Sequence, residues 1–156
     1  MAERREGGKD LTRVAVQPRF ETKEADNYRA FLDELAWSGI SPPRIEPRLA
    51  AEAVLCILAR RLSTGEVEDL EAALRPGLAS LIRSCDRHAG PARAHRINRE
   101  EFMRDVADHL GVPRGDVEPI VRAVFTAVRD RLPADEVEDV AAQLPPDLAD
   151  LWRRPV

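Results

Sequence analysis

Apolar residues along this chain recur at helical spacing in one segment after another. Tyr28, Phe31, Leu32, Leu35 and Ala36 form a single stripe, which predicts a helix beginning near Lys23. Gly39 and the pair Pro42-Pro43 stop it. From Glu46 to Leu62 the pattern changes, because Leu49 to Ala59 is apolar nearly all round. A helix without a polar face belongs at the centre of a fold. Ser63-Thr64-Gly65-Glu66 has the form of a capping box and opens a short helix with Val67, Leu70 and Leu74 on one face. Pro76 then starts another short helix, carrying Leu78, Leu81 and Ile82.

Periodicity breaks between Ser84 and Ile97, where Gly90-Pro91 lies among Arg and His residues, and this stretch reads as a linker. Helical spacing resumes at Asn98-Arg99-Glu100-Glu101, a second capping box, followed by Phe102, Val106 and Leu110. Gly111 to Gly115 makes a turn, and Asp116 is placed to cap the next helix. In that helix Ile120, Val121, Val124, Phe125, Val128 and Leu132 point inward, with Pro119 tolerated in the first turn. Val137, Val140, Ala141 and Leu144 mark a further short helix. Pro145-Pro146 opens the last one, which ends at Leu151-Trp152.

The two series are copies of each other. Arg61-Leu62-Ser63-Thr64-Gly65-Glu66-Val67-Glu68-Asp69-Leu70 returns in the second series as Arg131-Leu132-Pro133-Ala134-Asp135-Glu136-Val137-Glu138-Asp139-Val140. No segment alternates like a strand. The expected fold is all-α: two tandem, similar four-helix units, about eight helices in total, packed into one globule. The expected organisation is a tail over 1–22, a first repeat over 23–84, an Arg- and His-rich linker over 85–97 and a second repeat over 98–153. Each unit alone is of marginal size for a single core, so the halves should bury apolar faces against each other.

Composition narrows the function more by exclusion than by indication. Aromatics are 4% of the 156 residues, so Leu, Val, Ile and Ala must build the core. The net charge of −4 gives no global pull toward nucleic acid or anionic membrane. Lys9 and Lys23 are the only lysines, and the Arg-, Ala- and Pro-rich usage points to a GC-rich bacterial genome. No run of about 18 apolar residues occurs, and the charged N-terminus has no apolar stretch of a signal peptide. The expectation is a cytoplasmic protein. Cys56 sits in an apolar run and reads as a small core residue.

The residues Arg131 to Glu136, then Ala141-Ala142-Gln143-Leu144-Pro145, then Leu148-Ala149-Asp150-Leu151-Trp152, resemble the DUF2267 family of uncharacterised bacterial proteins. Arg99-Glu100-Glu101-Phe102 opens the second copy much as in that family. The resemblance spans about residues 23–153 and is closer in the second half. The first half departs at Ala73-Leu74-Arg75-Pro76, and after Leu81 it lacks the aromatics that such proteins often carry. The resemblance implies a helical fold and no established activity, so it transfers no catalytic residue.

Four groups of residues are candidates for chemistry. The acidic clusters Glu66, Glu68, Asp69, Glu71 and Asp135, Glu136, Glu138, Asp139 lie in the first turns of short helices. There carboxylates favour the positive end of the helix dipole, so they read as solvated helix starts rather than metal or catalytic groups. Cys85, His88 and His95 are the residues that could hold a soft metal, but three ligands in one loop form a weak zinc pattern, with a polar linker as the alternative. Arg83, Arg87, Arg93, Arg96 and Arg99 make the linker basic enough to contact phosphate or an acidic protein surface. The acidic third helices and the lack of stacking aromatics speak against a nucleic-acid reader. Trp152 reads as an anchor at the core edge. Trp37, at the end of the first helix, reads as core by its bulk, with an exposed partner-binding role as the alternative. His109 reads as a surface residue near a helix end.

No Ser/His/Asp set, Cys/His set or phosphate-binding loop is present, and no cofactor is implied. The expected function is a non-enzymatic protein–protein interaction or regulatory module, whose partner is an unknown protein or a second copy of the chain. The alternatives are nucleic-acid association through the Arg-rich linker and a small-molecule or metal-binding regulator using the cleft between the units.

Overall fold

The computed structural model describes residues 18–38, 45–74, 77–83 and 98–155. Most of the expected tail and the whole expected linker over 85–97 lie outside them. The described residues form eight α-helices and one 3-10 turn, with no strand among them. Helix α1 is Pro18–Trp37, α2 Pro47–Ala59, α3 Thr64–Ala73 and α4 Ser80–Arg83. Helix α5 is Arg99–Leu110; the 3-10 turn Arg114–Asp116 then leads into α6, Val117–Arg129. Helices α7, Ala134–Ala142, and α8, Pro146–Arg153, complete the order. The all-α expectation is met.

Local chemistry explains most boundaries. The capping box at Asn98 is complete: Glu101 N–H donates to Asn98 Oδ1 at 2.8 Å, and Asn98 N–H donates to Glu101 Oε1 at 3.0 Å. Helix α5 ends at Gly111, whose φ of 70° is left-handed, and Gly111 N–H bonds the Ala107 carbonyl at 2.8 Å. Asp116 does not cap α6 as its position suggested. It lies in helical conformation as the last residue of the 3-10 turn, so its side chain makes no capping bond. Gly77 has φ 105°, and a Cβ there would stand 2.5 Å from the Glu24 carbonyl oxygen, so only glycine lets this turn press against α1.

Helix α2 is the central element. It packs against α1, α4, α5 and α6, which is what its nearly continuous apolar surface requires. Ala50, Ala51 and Ala53 to Leu58 are all buried, including Cys56. Helix α6 touches α1, α2, α5 and α8. It has 13 residues, as α2 does, and the two begin at equivalent positions of the sequence repeat.

The contacts interleave the two halves of the chain: α1 lies on α6 as well as on α2, and α5 lies on α2 as well as on α6. One continuous core results, running from Phe31 and Leu35 through Val54, Leu58 and Val124 to Leu151 and Trp152. Each fully buried Leu, Val or Phe contributes roughly 1.5–3 kcal/mol of transfer free energy. Three of the aromatics meet at one point. Phe125 meets Phe102 at 5.7 Å between ring centroids and Trp152 edge-on at 5.2 Å. Within the first stripe, Phe31 and Leu35 are buried, whereas Ala36 is exposed.

Candidate functional site

The short helices α3 and α7 pack on each other, and their first turns carry the two acidic clusters. Glu68, Asp69, Asp135, Glu138 and Asp139 are exposed, as helix-start carboxylates should be. Glu66 and Glu136 are not. Their relative exposures are 7% and 9%, so the reading of both clusters as wholly solvated is corrected at these two positions. They occupy equivalent positions of the repeat and meet across the α3–α7 contact.

The reason lies in the caps. Glu66 N–H donates to Ser63 Oγ at 3.2 Å, which is half of the expected capping box. The other half is missing, because Ser63 N–H is taken by Gln143 Oε1 at 2.8 Å. Gln143 Nε2 also donates to Ser63 Oγ at 3.3 Å, so this amide ties the start of α3 to the end of α7. The Glu66 carboxyl is thereby released from its own helix start and turns toward Glu136. On α7 the cap position is Pro133, which has no N–H for Glu136 to accept from.

The Glu66 carboxyl and burial together change the chemistry of Glu136. Glu136 is pushed up from 4.5 to about 8, first by burial, then by its hydrogen bond and charge interaction with Glu66. Asp139 on its own helix and Asp69 on α3 add smaller repulsions in the same direction. The Oε2 atoms of both Glu66 and Glu136 are buried with no hydrogen-bond partner. Two like charges in contact out of water repel, which favours the protonated form of Glu136.

A second reciprocal pair consists of arginines. Arg61 is buried; its Nε donates to the Ile57 carbonyl at 3.4 Å, and its guanidinium lies 3.7 Å from Asp105 on α5. Burial pulls Arg61 below its ordinary value, and Asp105 partly offsets this. Arg131 donates to the Ala127 carbonyl at 2.8 Å and to Glu34 on α1 at 2.9 Å. It also lies 5.3 Å from the centre of the Phe31 ring.

The tryptophans separate. Trp152 is fully buried, and its indole N–H donates to the Val137 carbonyl at 2.8 Å, which locks α8 to α7. Trp37 is 88% exposed, which corrects the reading of its bulk as core. It is the last residue of α1, and Leu49, in the first turn of α2, is 44% exposed.

The remaining candidates are not brought into a site. Cys85, His88, His95, Arg87, Arg93 and Arg96 lie outside the described residues, and Arg83 is the last residue of α4. Arg99 is engaged, donating to Glu118 at 2.8 Å. Glu118 also accepts from Arg122, and that bond, more than Arg99, holds its carboxyl below the usual range. His109 lies half-buried in the last turn of α5. Among the described residues, no group of three or more His, Cys, Asp or Glu side chains is arranged to hold a metal ion. Nor is any helix among them long and apolar enough to cross a membrane.

The Glu66–Glu136 pair is hidden in sequence because both residues carry the pattern of an ordinary helix start. A usable signal lies in the sequence itself, since Glu66 and Glu136 stand at matching points of its two similar segments. No curated protein matches the chain. A family model described as "Uncharacterized conserved protein (DUF2267)" matches residues 28–151, which is most of the sequence and spans both halves. The paired arginines and the paired carboxyls fall within that match, and the chain belongs to the DUF2267 family.

Proposed function

We propose that the protein is a non-enzymatic helical module that acts through protein–protein contact. The observation that carries this reading is Trp37, a large aromatic 88% exposed at the end of α1 in a chain with few aromatics. Tryptophan on a surface costs solubility and is enriched where binding energy concentrates. Leu49 adds exposed apolar surface at the start of the next helix. The expected partner is another protein or a second copy of the chain, in the cytoplasm.

The same reading takes the fold as two tandem four-helix units related by a pseudo-two-fold. Three correspondences at the shift of the sequence repeat support it: α2 with α6, Arg61 with Arg131, and Glu66 with Glu136. Such a frame holds Trp37 on a rigid helix end rather than on a loop.

The test combines light scattering after size exclusion with capture of partners from the native host, using wild type and Trp37→Ala. Self-association or a specific retained protein that disappears in Trp37→Ala, with unchanged circular dichroism, supports the reading. A strict monomer that retains nothing, or retention indifferent to residue 37, overturns it. A gel shift of nucleic acid by micromolar protein in about 50 mM salt would instead favour the Arg-rich segment as the working surface.

A further inference from the structure

The contact between α3 and α7 is built unlike the rest of the core. Elsewhere these helices bury Leu70, Val137, Val140 and Ala141 in ordinary apolar packing. At their mutual contact they place two carboxyl groups, each on a residue more than nine-tenths buried and each with an Oε2 atom that bonds nothing. The charged groups acting most strongly on Glu136 are Glu66 and Asp69 from α3 and Asp139 from its own helix, all acidic. Helix α8, also packed on α7, carries Asp147, Asp150 and Arg153, and Arg153 is engaged with Glu138 at 3.0 Å. A buried carboxyl dyad with further acids beside it is costly, and one hydrophobic substitution would remove the cost. Its chemistry suits one ligand, the proton.

We propose that Glu66 and Glu136 form a proton-operated clasp, in which one shared proton holds α3 against α7 and its loss parts the two helices. In the closed state one carboxyl is protonated and donates to the other, which is ionised. In the open state a hydroxide ion or buffer base has taken that proton, and two carboxylates in contact repel. A second polar tie across this contact is the exchange between Ser63 and Gln143, which is exposed to water. The central helices α2 and α6 have their own contacts with α1 and α5, so the clasp can open without unfolding the core. The clasp is independent of Trp37, because it joins a different pair of helices and needs no partner protein.

The experiment is a carboxyl-carbon NMR titration of the full chain, together with hydrogen exchange at about pH 6 and about pH 9 corrected for intrinsic rates. The clasp predicts that Glu136 titrates in a step near 8, well apart from the exposed carboxylates. It also predicts that amides of α3 and α7 lose protection at high pH by tenfold or more relative to those of α2 and α6. Glu136→Gln should abolish that loss, since an amide cannot ionise but still donates to Glu66. Glu66→Gln should do the same in the mirror sense, and serves if the first variant folds poorly. Glu136 titrating as an ordinary carboxylate would overturn the proposal, and so would equal protection at the two pH values. A pH-dependent loss that persists unchanged in the Gln variants would overturn it as well.

Discussion

Arg61 and Arg131 make the same two contacts in opposite directions. Each donates to the carbonyl one helical turn back on its own chain, Ile57 for Arg61 and Ala127 for Arg131. Each then reaches an acid on a helix of the other half: Arg61 approaches Asp105 on α5, and Arg131 bonds Glu34 on α1. A guanidinium suits this position because its fixed fork serves two acceptors at once, and at Arg131 its flat face also lies over the Phe31 ring. The two arginines, at matching points of two similar sequence segments, therefore tie the first half of the chain to the second.

The Arg131 contacts make a first prediction. Arg131→Ala removes the bond to Glu34, the bond to the Ala127 carbonyl and the stacking on Phe31, and should cost about 1–2 kcal/mol in urea unfolding. Arg131→Lys should recover less than half of that, because a single ammonium cannot serve both acceptors and the ring. Full recovery by lysine would mean that charge alone matters.

Val124 is fully buried in α6. Val124→Asp places an unpaired carboxylate in the core and should cost more than about 3 kcal/mol, enough to unfold much of the population at about 37 °C. A melting temperature within error of wild type would show that α6 is not the core helix described above.

The tryptophans offer a matched pair. Trp152→Phe loses the bond to the Val137 carbonyl and the edge contact on Phe125, for an expected cost of about 1–3 kcal/mol. Trp37→Phe touches an exposed side chain and should change stability by less than about 0.5 kcal/mol. Denaturant melts of the two variants side by side are the check, and equal effects would contradict the burial described above.

Stability should fall as the solution becomes alkaline. Glu136 holds its proton more tightly when folded, with its value raised from 4.5 to about 8. A group shifted this way contributes its full stabilisation below 4.5, and that contribution is lost as the pH rises through the folded value near 8. The melting temperature should therefore decline across that window, and Glu136→Gln should flatten the decline. Glu118 and Glu100 work in the other sense, since arginine partners hold both low, and their contribution is lost only in acid. A wild-type melting temperature that rises between about pH 5 and about pH 8 would contradict the assignment.

The helices and the core are legible in the chain alone. Capping at Asn98, the left-handed stop at Gly111, the tolerated Pro119 and the stripe from Ile120 to Val128 are all local, written within a turn of where they act. Which equivalent residues meet is settled only by packing in three dimensions. Glu66 and Glu68 look alike along the chain, yet one is buried against Glu136 and the other faces water. Trp37 and Trp152 both end helical stripes, yet only one finds a pocket and a carbonyl. Contacts between the two halves depend on the angle and register at which helices pack, and on which N–H a neighbouring side chain has already taken. Periodicity sets which face of a helix turns inward, but it carries no information about what will be waiting there.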